Sequence, residues 1–180
     1  HQLQWWDLDT FYKVMVGGYG SGKTYIGALR CLYLSYINAP YPGMYVSSTW
    51  GIAQKTIIMT LKEIMDRSEL DYTWNQQRGA VHIINWDGAI WFGSGDRPHS
   101  LRGSNLCWAG IDEPFIQRKD VFDQMVARVR VPQAVHREVF LTGTPEEMNW
   151  GWELTNRDDL DMGVVVGSTL ANKYLPQEYK

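Results

Sequence analysis

A glycine-rich stretch at residues 17–24 limits the folds open to this chain more than any other part of its sequence. Its members are Gly17, Gly18, Tyr19, Gly20, Ser21, Gly22, Lys23 and Thr24, which fit the pattern G-x-x-x-x-G-K-[ST]. A β-prone run at residues 12–16 precedes it, and apolar side chains at helical spacing follow over residues 23–36. Glycines let the backbone wrap so that several N–H groups point at one phosphate, and the next helix adds positive potential at its N-terminal end. The pattern therefore predicts a phosphate-binding loop, in which Lys23 reaches the β- and γ-phosphates and the Thr24 hydroxyl ligates Mg²⁺.

The rest of the chain alternates apolar strands with amphipathic helices. Strands are predicted at residues 44–48, 106–111, 138–141 and 164–166, and further helices at residues 57–67 and 120–129. Residues 81–84 and 89–92 break this order, because Asp87-Gly88 between them is a hairpin signal. Apolar strands separated by helices predict an α/β three-layer fold with a mainly parallel central sheet and an inserted β-hairpin.

Composition excludes several classes of protein. The chain has 180 residues, of which 44% are hydrophobic and 13% aromatic, too many for a disordered chain and enough for one domain with a sizeable core. Cys31 and Cys107 lie in apolar runs, so we expect buried thiols in a reducing compartment rather than a disulfide scaffold. No apolar run approaches the 18 residues or more that a membrane span needs. The net charge of −3 means that any DNA contact is local, with Arg118-Lys119 and residues 128–137 as the basic concentrations.

Two carboxylates, Asp112 and Glu113, follow the apolar run at residues 106–111. Ligands of open α/β sheets bind beyond the carboxyl ends of the strands, so both acids are expected to face the phosphate-binding loop. Asp112 can then hold Mg²⁺, and Glu113 can orient or deprotonate a water that attacks the γ-phosphate. A phosphotransferase does not need this second acid, whereas a hydrolase does.

A third predicted strand ends in Thr142, Gly143 and Thr144, followed by Pro145. Hydroxyl groups at this exit can sense the γ-phosphate and pass its loss to neighbouring elements. An ordinary strand-to-turn junction uses the same residue types. The position of this exit, on the strand after Asp112, favours the sensing role.

Taken in order, these motifs and Ser100-Leu101-Arg102-Gly103 resemble the ATPase domain of tailed-bacteriophage terminase large subunits, the motors that pump DNA into a prohead. Residues 168–176 resemble the segment after which that family passes to its nuclease domain. The resemblance implies a P-loop NTPase fold of the ASCE type, with ATP and Mg²⁺ bound. It also implies that residues 1–180 form a single ATPase domain that leaves no room for the nuclease. Thr142, Gly143 and Thr144 match the family's coupling motif.

The resemblance adds two further site predictions. Gln4 stands where the family often places a glutamine that reads adenine, although a solvent-exposed glutamine explains it equally well. Many terminases have an arginine at the position of Tyr19, and a tyrosine cannot supply a cationic fork. Arg102 is therefore the first candidate for an arginine finger that acts between neighbours in a ring, with a surface salt bridge as the alternative. Arg128 and Arg130 are further candidates, for which a solvated surface position is favoured.

The resemblance also implies the setting of the protein. Its partners would be double-stranded DNA, a homo-oligomeric ring of copies, a portal on which the ring docks and a small terminase subunit, in the cytoplasm of the infected bacterial host. A helicase-like ATPase that remodels nucleic acid, and an assembly module gated by nucleotide, remain as alternatives. Asp158, Asp159 and Asp161 are expected to form a solvated acidic loop rather than a metal site.

Overall fold

The computed structural model describes residues 1–146, 148–176 and 178. The helices are α1 (Gln2–Trp6), α2 (Lys23–Ile37), α3 (Trp50–Lys55), α4 (Ile57–Arg67), α5 (Lys119–Val126) and α6 (Trp150–Thr155). The strands are β1 (Tyr12–Gly17), β2 (Gly43–Ser47), β3 (Tyr72–Asn75), β4 (Ala80–Ile83), β5 (Gly88–Ser94), β6 (Trp108–Asp112), β7 (Glu138–Gly143) and β8 (Met162–Gly167). Within the described ranges, no helix has the length and apolarity that a membrane crossing requires.

All eight strands form one sheet in the order β3-β4-β5-β2-β6-β7-β1-β8. The pairs from β5 through β8 are parallel, whereas β4 pairs antiparallel with both β5 and β3. The prediction of a mainly parallel sheet with an inserted hairpin is confirmed. Because β1, β2, β6 and β7 are neighbours with one direction, their carboxyl ends meet at one edge, where residues 17–24, 112–113 and 142–144 lie.

The sheet is buried on both faces, as continuous apolar strands require. Successive strand residues point to opposite sides. Met15, Tyr45, Trp108 and Phe140 join one buried cluster with α2 and α4. Val14, Val46, Ile111 and Leu141 join the other with α5 and α6. Helices on both sides of a sheet make three layers. Cys31 and Cys107 are buried free thiols in this core, as predicted.

A buried ionic group lies at the opposite, amino end of the sheet. Glu138 begins β7 and is fully buried. It accepts hydrogen bonds from Arg30 Nε at 2.8 Å and from Arg30 Nη2, and Lys13 Nζ lies 3.5 Å from its Oε2. His136 Nε2 lies 2.8 Å from the same oxygen. We call these four residues the amino-end cluster. Burial acts to raise the pKa of Glu138, but the hydrogen bonds from Arg30 and His136, with the charges of Arg30 and Lys13, lower it to about 2.

The sequence patterns misplaced several boundaries. The strand predicted at residues 106–111 begins at Trp108, because Leu106 N donates to Arg128 O and draws the preceding residues toward the end of α5. The helix predicted to reach residue 129 ends at Val126. The hairpin turns through a 3-10 segment, Ile84–Trp86, with Asp87 left-handed at a φ of 57°. Helices α1, α3 and α6 and strand β3 have four to six residues each and were not predicted, because such lengths are too short for a clear period.

Candidate active site

The stretch at residues 17–24, which we call the phosphate loop, runs from the end of β1 into the first turn of α2. Gly20 has a φ of 72° and Gly22, the N-cap of α2, a φ of 87°. Both values lie in the left-handed region that side chains disfavour, so glycine is required at the two points where the chain reverses. The loop thus lies at the N-terminal end of the 15-residue α2, where the helix dipole is positive.

Lys23 folds back over the start of the phosphate loop. Its Nζ donates to the carbonyls of Gly17 at 2.7 Å and Gly18 at 3.0 Å, and to Thr144 Oγ1 at 3.0 Å. The side chain is buried, which lowers the pKa of Lys23, while the carboxylates of Glu113 and Asp112 act in the opposite direction. The ammonium therefore connects the phosphate loop with the exit of β7.

Asp112 ends β6 and is buried at the carboxyl edge. Its nearest donors are hydroxyl groups at long range, Ser47 Oγ at 3.5 Å and Thr142 Oγ1 at 3.4 Å. Within the described part of the chain, no cationic nitrogen lies within 4.0 Å of its carboxylate. Burial, with the charge of Glu113, raises the pKa of Asp112 to about 6, although the hydroxyl groups of Tyr45 and Thr142 and the charge of Lys23 act against this rise. A buried carboxylate with so little compensation is suited to a cation.

Glu113 is held in one orientation by the end of β7. Its Oε2 accepts from Thr144 N at 2.6 Å and its Oε1 from Thr144 Oγ1 at 3.4 Å, while its own N–H donates to Thr142 O at 2.7 Å. Its φ of 45° is unusual for a residue with a side chain. Burial raises the pKa of Glu113, and the Thr144 N–H acts against that rise. A fixed carboxylate with a raised pKa has the properties of a general base.

The exit of β7 contacts Asp112, Glu113 and Lys23. Thr142 Oγ1 lies near Asp112, and Thr144 contacts both Glu113 and Lys23. A side chain on Gly143 would bring its Cβ to 3.2 Å from Glu113 Cα and 2.7 Å from Pro114 Cδ, so glycine permits the close approach of the two strand ends. The predicted coupling residues are therefore hydrogen-bonded to the predicted catalytic ones.

A cleft of about 540 Å³ opens over these groups, a volume within the range of small-ligand sites. The phosphate loop forms one side of it, and α3 and α4 contribute the other. Thr24 lines the cleft together with Lys23, Asp112 and Glu113. The structure thus brings together the residues that the sequence assigned to phosphate, metal and water.

Other predicted residues lie elsewhere. Gln4 is exposed on α1, whereas Gln2, two residues earlier, reaches the phosphate loop and donates to Gly22 O at 3.1 Å. Arg102 is exposed on the segment between β5 and β6. Arg128 donates to Gln124 Oε1 at 3.3 Å, and Arg130 to Asn105 Oδ1 at 2.8 Å. These arginines make no described contact with the phosphate loop.

The three aspartates of the acidic run are exposed. Asp161 accepts from Phe11 N at 2.9 Å, and Asp159 pairs with Arg157 on the surface. Asp158 is exposed. Among the described residues, no group of three or more His, Cys, Asp or Glu side chains is arranged to hold a metal ion.

One contact at the site, between Tyr19 and Glu146, was not predicted from the sequence. The Tyr19 hydroxyl donates to Glu146 Oε1, which raises the pKa of this exposed tyrosine. Glu146 follows the 142–145 motif, so the phosphate loop and the exit of β7 are connected a second time. The two residues are 127 positions apart, and no local signal predicts their meeting.

Residues 14–162 match the sequence model of one protein family, described as terminase large subunit, T4likevirus-type, N-terminal. The chain belongs to this family. The resemblance drawn from the motifs is confirmed. A search of curated protein sequences finds no match to the chain.

Solved structures of phage packaging proteins share the fold of this terminase domain. The large terminase of a thermophilic bacteriophage superposes with a TM-score of 0.83 at 15% identity, covering 98% of this chain and 46% of that one. The same terminase in complex with ATP-gamma-S gives 0.80 at 16%, covering 99% and 46%. The N-terminal domain of the DNA packaging ATPase from bacteriophage phi29 gives 0.70 at 13%, covering 95% and 97%.

The chain therefore spans about half the length of the thermophilic phage terminase chains that it matches. At these identities the likeness establishes the fold alone, which is the three-layer P-loop fold of the ASCE type. The predicted fold class is confirmed.

Proposed function

We propose that this terminase domain hydrolyses ATP to ADP and phosphate, and that the hydrolysis drives double-stranded DNA into a viral prohead. The single observation that carries the proposal is the meeting of Lys23, Asp112, Glu113 and Thr144 around one cleft beside the phosphate loop. The family match and the fold shared with a DNA packaging ATPase support it.

The phosphate loop, with the side chain of Lys23, binds the phosphate groups of the nucleotide. The Lys23 ammonium has three N–H donors, which are directed at Gly17 O, Gly18 O and Thr144 Oγ1. A bound phosphate is a stronger acceptor than a hydroxyl, because it is charged. We expect it to take the donor that Thr144 accepts. The structure of the thermophilic phage terminase in complex with ATP-gamma-S supports this use of the cleft.

Mg²⁺ fits the donor set. The Thr24 hydroxyl and the Asp112 carboxylate offer the oxygen ligands that Mg²⁺ prefers, and among the described residues no cationic nitrogen lies within 4.0 Å of the buried Asp112 carboxylate. When bound there with the nucleotide, Mg²⁺ would neutralise charge on the phosphate oxygens. Above its pKa of about 6, the Asp112 carboxyl group is already ionised and needs no base to remove its proton before it binds Mg²⁺.

Glu113 orients the attacking water and accepts its proton. The Thr144 N–H and hydroxyl fix the carboxylate, so it does not have to be ordered when the substrate arrives. Thr142, Gly143 and Thr144 couple the reaction to movement, because the same residues contact Asp112, Glu113 and Lys23. Loss of the γ-phosphate would return the Lys23 donor to Thr144 and so change the end of β7.

The remaining roles are proposals at longer range. Gln4, exposed on α1, would read the adenine ring, and exposed Arg102 would act as the finger for a neighbouring copy in a homo-oligomeric ring. Because Arg102 is exposed, its side chain is accessible to a neighbouring copy of the chain. We further propose that residues 1–180 act as one ATPase domain, in a ring on a portal, with DNA and a small terminase subunit as partners in the bacterial cytoplasm.

The test replaces Glu113 by Gln. Glu113→Gln keeps the size of the side chain but removes the base, so phosphate release should fall about 100-fold or more, while ADP binding stays within about threefold. Glu69→Gln is the matched control, because Glu69 is also left-handed, at a φ of 52°, and is exposed away from the cleft. Unchanged phosphate release in Glu113→Gln would defeat the role of Glu113. No DNA-dependent phosphate release from the unaltered chain would defeat the proposed function.

A further inference from the structure

Side chains bind the backbone carbonyls of residues 17–22 one after another, Lys23 from within the phosphate loop and four residues from outside it. Lys23 Nζ takes those of Gly17 and Gly18, as described above. The other four acceptors are Tyr19 O, bound by Thr169 Oγ1 at 2.7 Å; Gly20 O, bound by Asn172 Nδ2 at 2.6 Å; Ser21 O, 3.2 Å from His1 Nε2; and Gly22 O, bound by Gln2 Nε2 at 3.1 Å. Every carbonyl from residue 17 to residue 22 therefore has a side-chain partner.

These contacts fix the direction of the loop amides. In a planar trans peptide the C=O of one residue and the N–H of the next point in opposite directions. The carbonyls of residues 19–22, which are held from outside, therefore direct the N–H of the following residue toward the interior of the loop, where a phosphate binds. The Ser21 N–H, which follows Gly20 O, is the exception, since it donates to Gly18 O at 3.2 Å. The contact from Asn172 to Gly20 O therefore fixes this turn of the loop rather than an N–H that is open to phosphate. The outer side chains thus set the orientation that anion binding needs.

Close packing shows that the outer partners are tightly fitted. A Cβ on Gly18 would lie 2.6 Å from Thr169 Oγ1, and one on Gly22 would lie 2.5 Å from Gln2 Nε2. Glycine at these positions therefore admits the partner side chains as well as the turns of the loop.

Two of the partners come from the turn that follows β8. This turn is ordered by its own side chains, because Ser168 Oγ accepts from Leu170 N at 3.2 Å and Asn172 Oδ1 accepts from Tyr174 N at 3.0 Å. Asn172 therefore uses its oxygen for the turn and its nitrogen for Gly20 O. The 3-10 segment Thr169–Ala171 holds the two donors at a fixed separation.

We propose that Thr169 and Asn172 are positioning residues that hold the phosphate loop in its anion-binding form. They act through the loop backbone and touch no reacting atom. The inference rests on the proposed function, since it assumes that the loop binds a nucleotide. It adds that the turn at residues 168–172 and the nucleotide stabilise each other, because linkage between two sites is reciprocal.

The test is the double variant Thr169→Val/Asn172→Ala, with ADP and ATP-gamma-S as probes. Each loop hydrogen bond contributes modestly, so we expect both ligands to bind roughly 5- to 20-fold more weakly. The Michaelis constant for ATP should rise by a similar factor with little change in kcat. The urea unfolding midpoint should stay nearly unchanged, because both residues are only half-buried and lie outside the apolar core.

A matched control removes the same two chemical groups elsewhere. Thr155 Oγ1 and Asn156 Nδ2 both donate to Trp152 O at the end of α6, at 2.8 and 2.7 Å. Thr155→Val/Asn156→Ala should leave ADP affinity unchanged. Thr169→Ser keeps the hydroxyl and should bind ADP as the unaltered chain does, whereas Thr169→Val should not.

The outcomes separate the two proposals. If the unaltered chain binds ADP and the double variant binds it equally well, the positioning role is wrong and the proposed function stands. If the unaltered chain binds neither ADP nor ATP-gamma-S, both proposals fall. If Thr169→Ser loses affinity as Thr169→Val does, the hydroxyl contact is not the cause, and the role of Thr169 is overturned.

Discussion

The two ends of the central sheet both bury carboxylates, and they treat the charge in opposite ways. At the amino end, Glu138 is surrounded by Arg30, Lys13 and His136, and its pKa falls to about 2. At the carboxyl end, Asp112 is also buried, but hydroxyl groups and the more distant Lys23 compensate its charge less, and its pKa rises to about 6. Strand β7 connects the two, beginning at Glu138 and ending beside Asp112.

This difference in pKa indicates that Glu138 carries a structural charge and Asp112 a functional one. A buried ion pair whose partners are all present holds elements together, here α2, β1 and β7. A buried carboxylate without a close cation costs stability in the free protein, and proteins keep such groups where a ligand or a reaction uses them. The comparison therefore supports the carboxyl end as the candidate site independently of the loop motif.

Glu138→Gln should have the largest effect on stability. The amide cannot neutralise the Lys13 and Arg30 side chains, which stay buried, so the free energy of unfolding should fall by about 3–5 kcal/mol. Urea unfolding at pH 7 measures it. Glu153→Gln, on the exposed surface of α6, is the control and should change the value by less than about 0.5 kcal/mol. A change in Glu138→Gln as small as the control would show that the amino-end cluster is not structural.

Asp112→Asn should act in the opposite direction. It removes a buried negative charge that lacks a close partner, so at pH 8 the free energy of unfolding should rise by about 1–3 kcal/mol. Phosphate release should be lost with it, since an amide is a poor substitute for a carboxylate toward Mg²⁺. Asp158→Asn, at an exposed position, should alter neither quantity. A marked loss of stability in Asp112→Asn would mean that its charge is compensated after all.

Tyr19→Phe should have the smallest effect. It deletes the hydrogen bond from the Tyr19 hydroxyl to Glu146. Like the bond from Arg30 to Glu138, this bond is accepted by a carboxylate, but it is exposed to water. Water replaces such a bond readily, so the unfolding midpoint should not move and ADP affinity should change by less than about threefold. Calorimetric titration with ADP checks it. A tenfold change would give the Tyr19–Glu146 contact a role that its exposure does not predict.

Local sequence patterns were sufficient for the centre of the site. The phosphate loop, Asp112, Glu113 and Thr142–Thr144 are contiguous motifs at strand ends, and the rule that ligands bind at the carboxyl edge brings them together. The parallel sheet followed from the apolar strands in the same way. The short elements α1, α3, α6 and β3 were not predicted, because each is shorter than the windows in which a period can be measured.

Contacts between distant residues could not be predicted from those patterns. Tyr19 meets Glu146, and Gly20 meets Asn172, across 127 and 152 positions with side chains that carry no special signal. The contact of Gln2 with Gly22 O was not predicted either, because no local pattern fixes which side of a short helix approaches the loop. Glu138 at the start of a strand resembles an ordinary polar flank, and only the fold brings Arg30 and Lys13 to it.

The two carboxylates also predict opposite effects of pH on stability. The lowered pKa of Glu138 gives stability that is complete above the ordinary glutamate pKa and is lost as the pH falls toward about 2. The raised pKa of Asp112 means that the folded chain keeps a proton which the unfolded chain releases. Between the ordinary aspartate pKa and about 6, stability from this group therefore declines as the pH rises.

The most direct test is an NMR titration of the side-chain carboxyl carbons of Asp112 and Glu138 in the ligand-free chain. The account predicts a midpoint near pH 6 for Asp112 and near pH 2 for Glu138. Adding Mg²⁺ with ADP should lower the midpoint of Asp112 and leave that of Glu138 in place. An Asp112 that titrates in the ordinary acidic range without ligand, or that does not respond to Mg²⁺ and ADP, would contradict the distinction between the two ends.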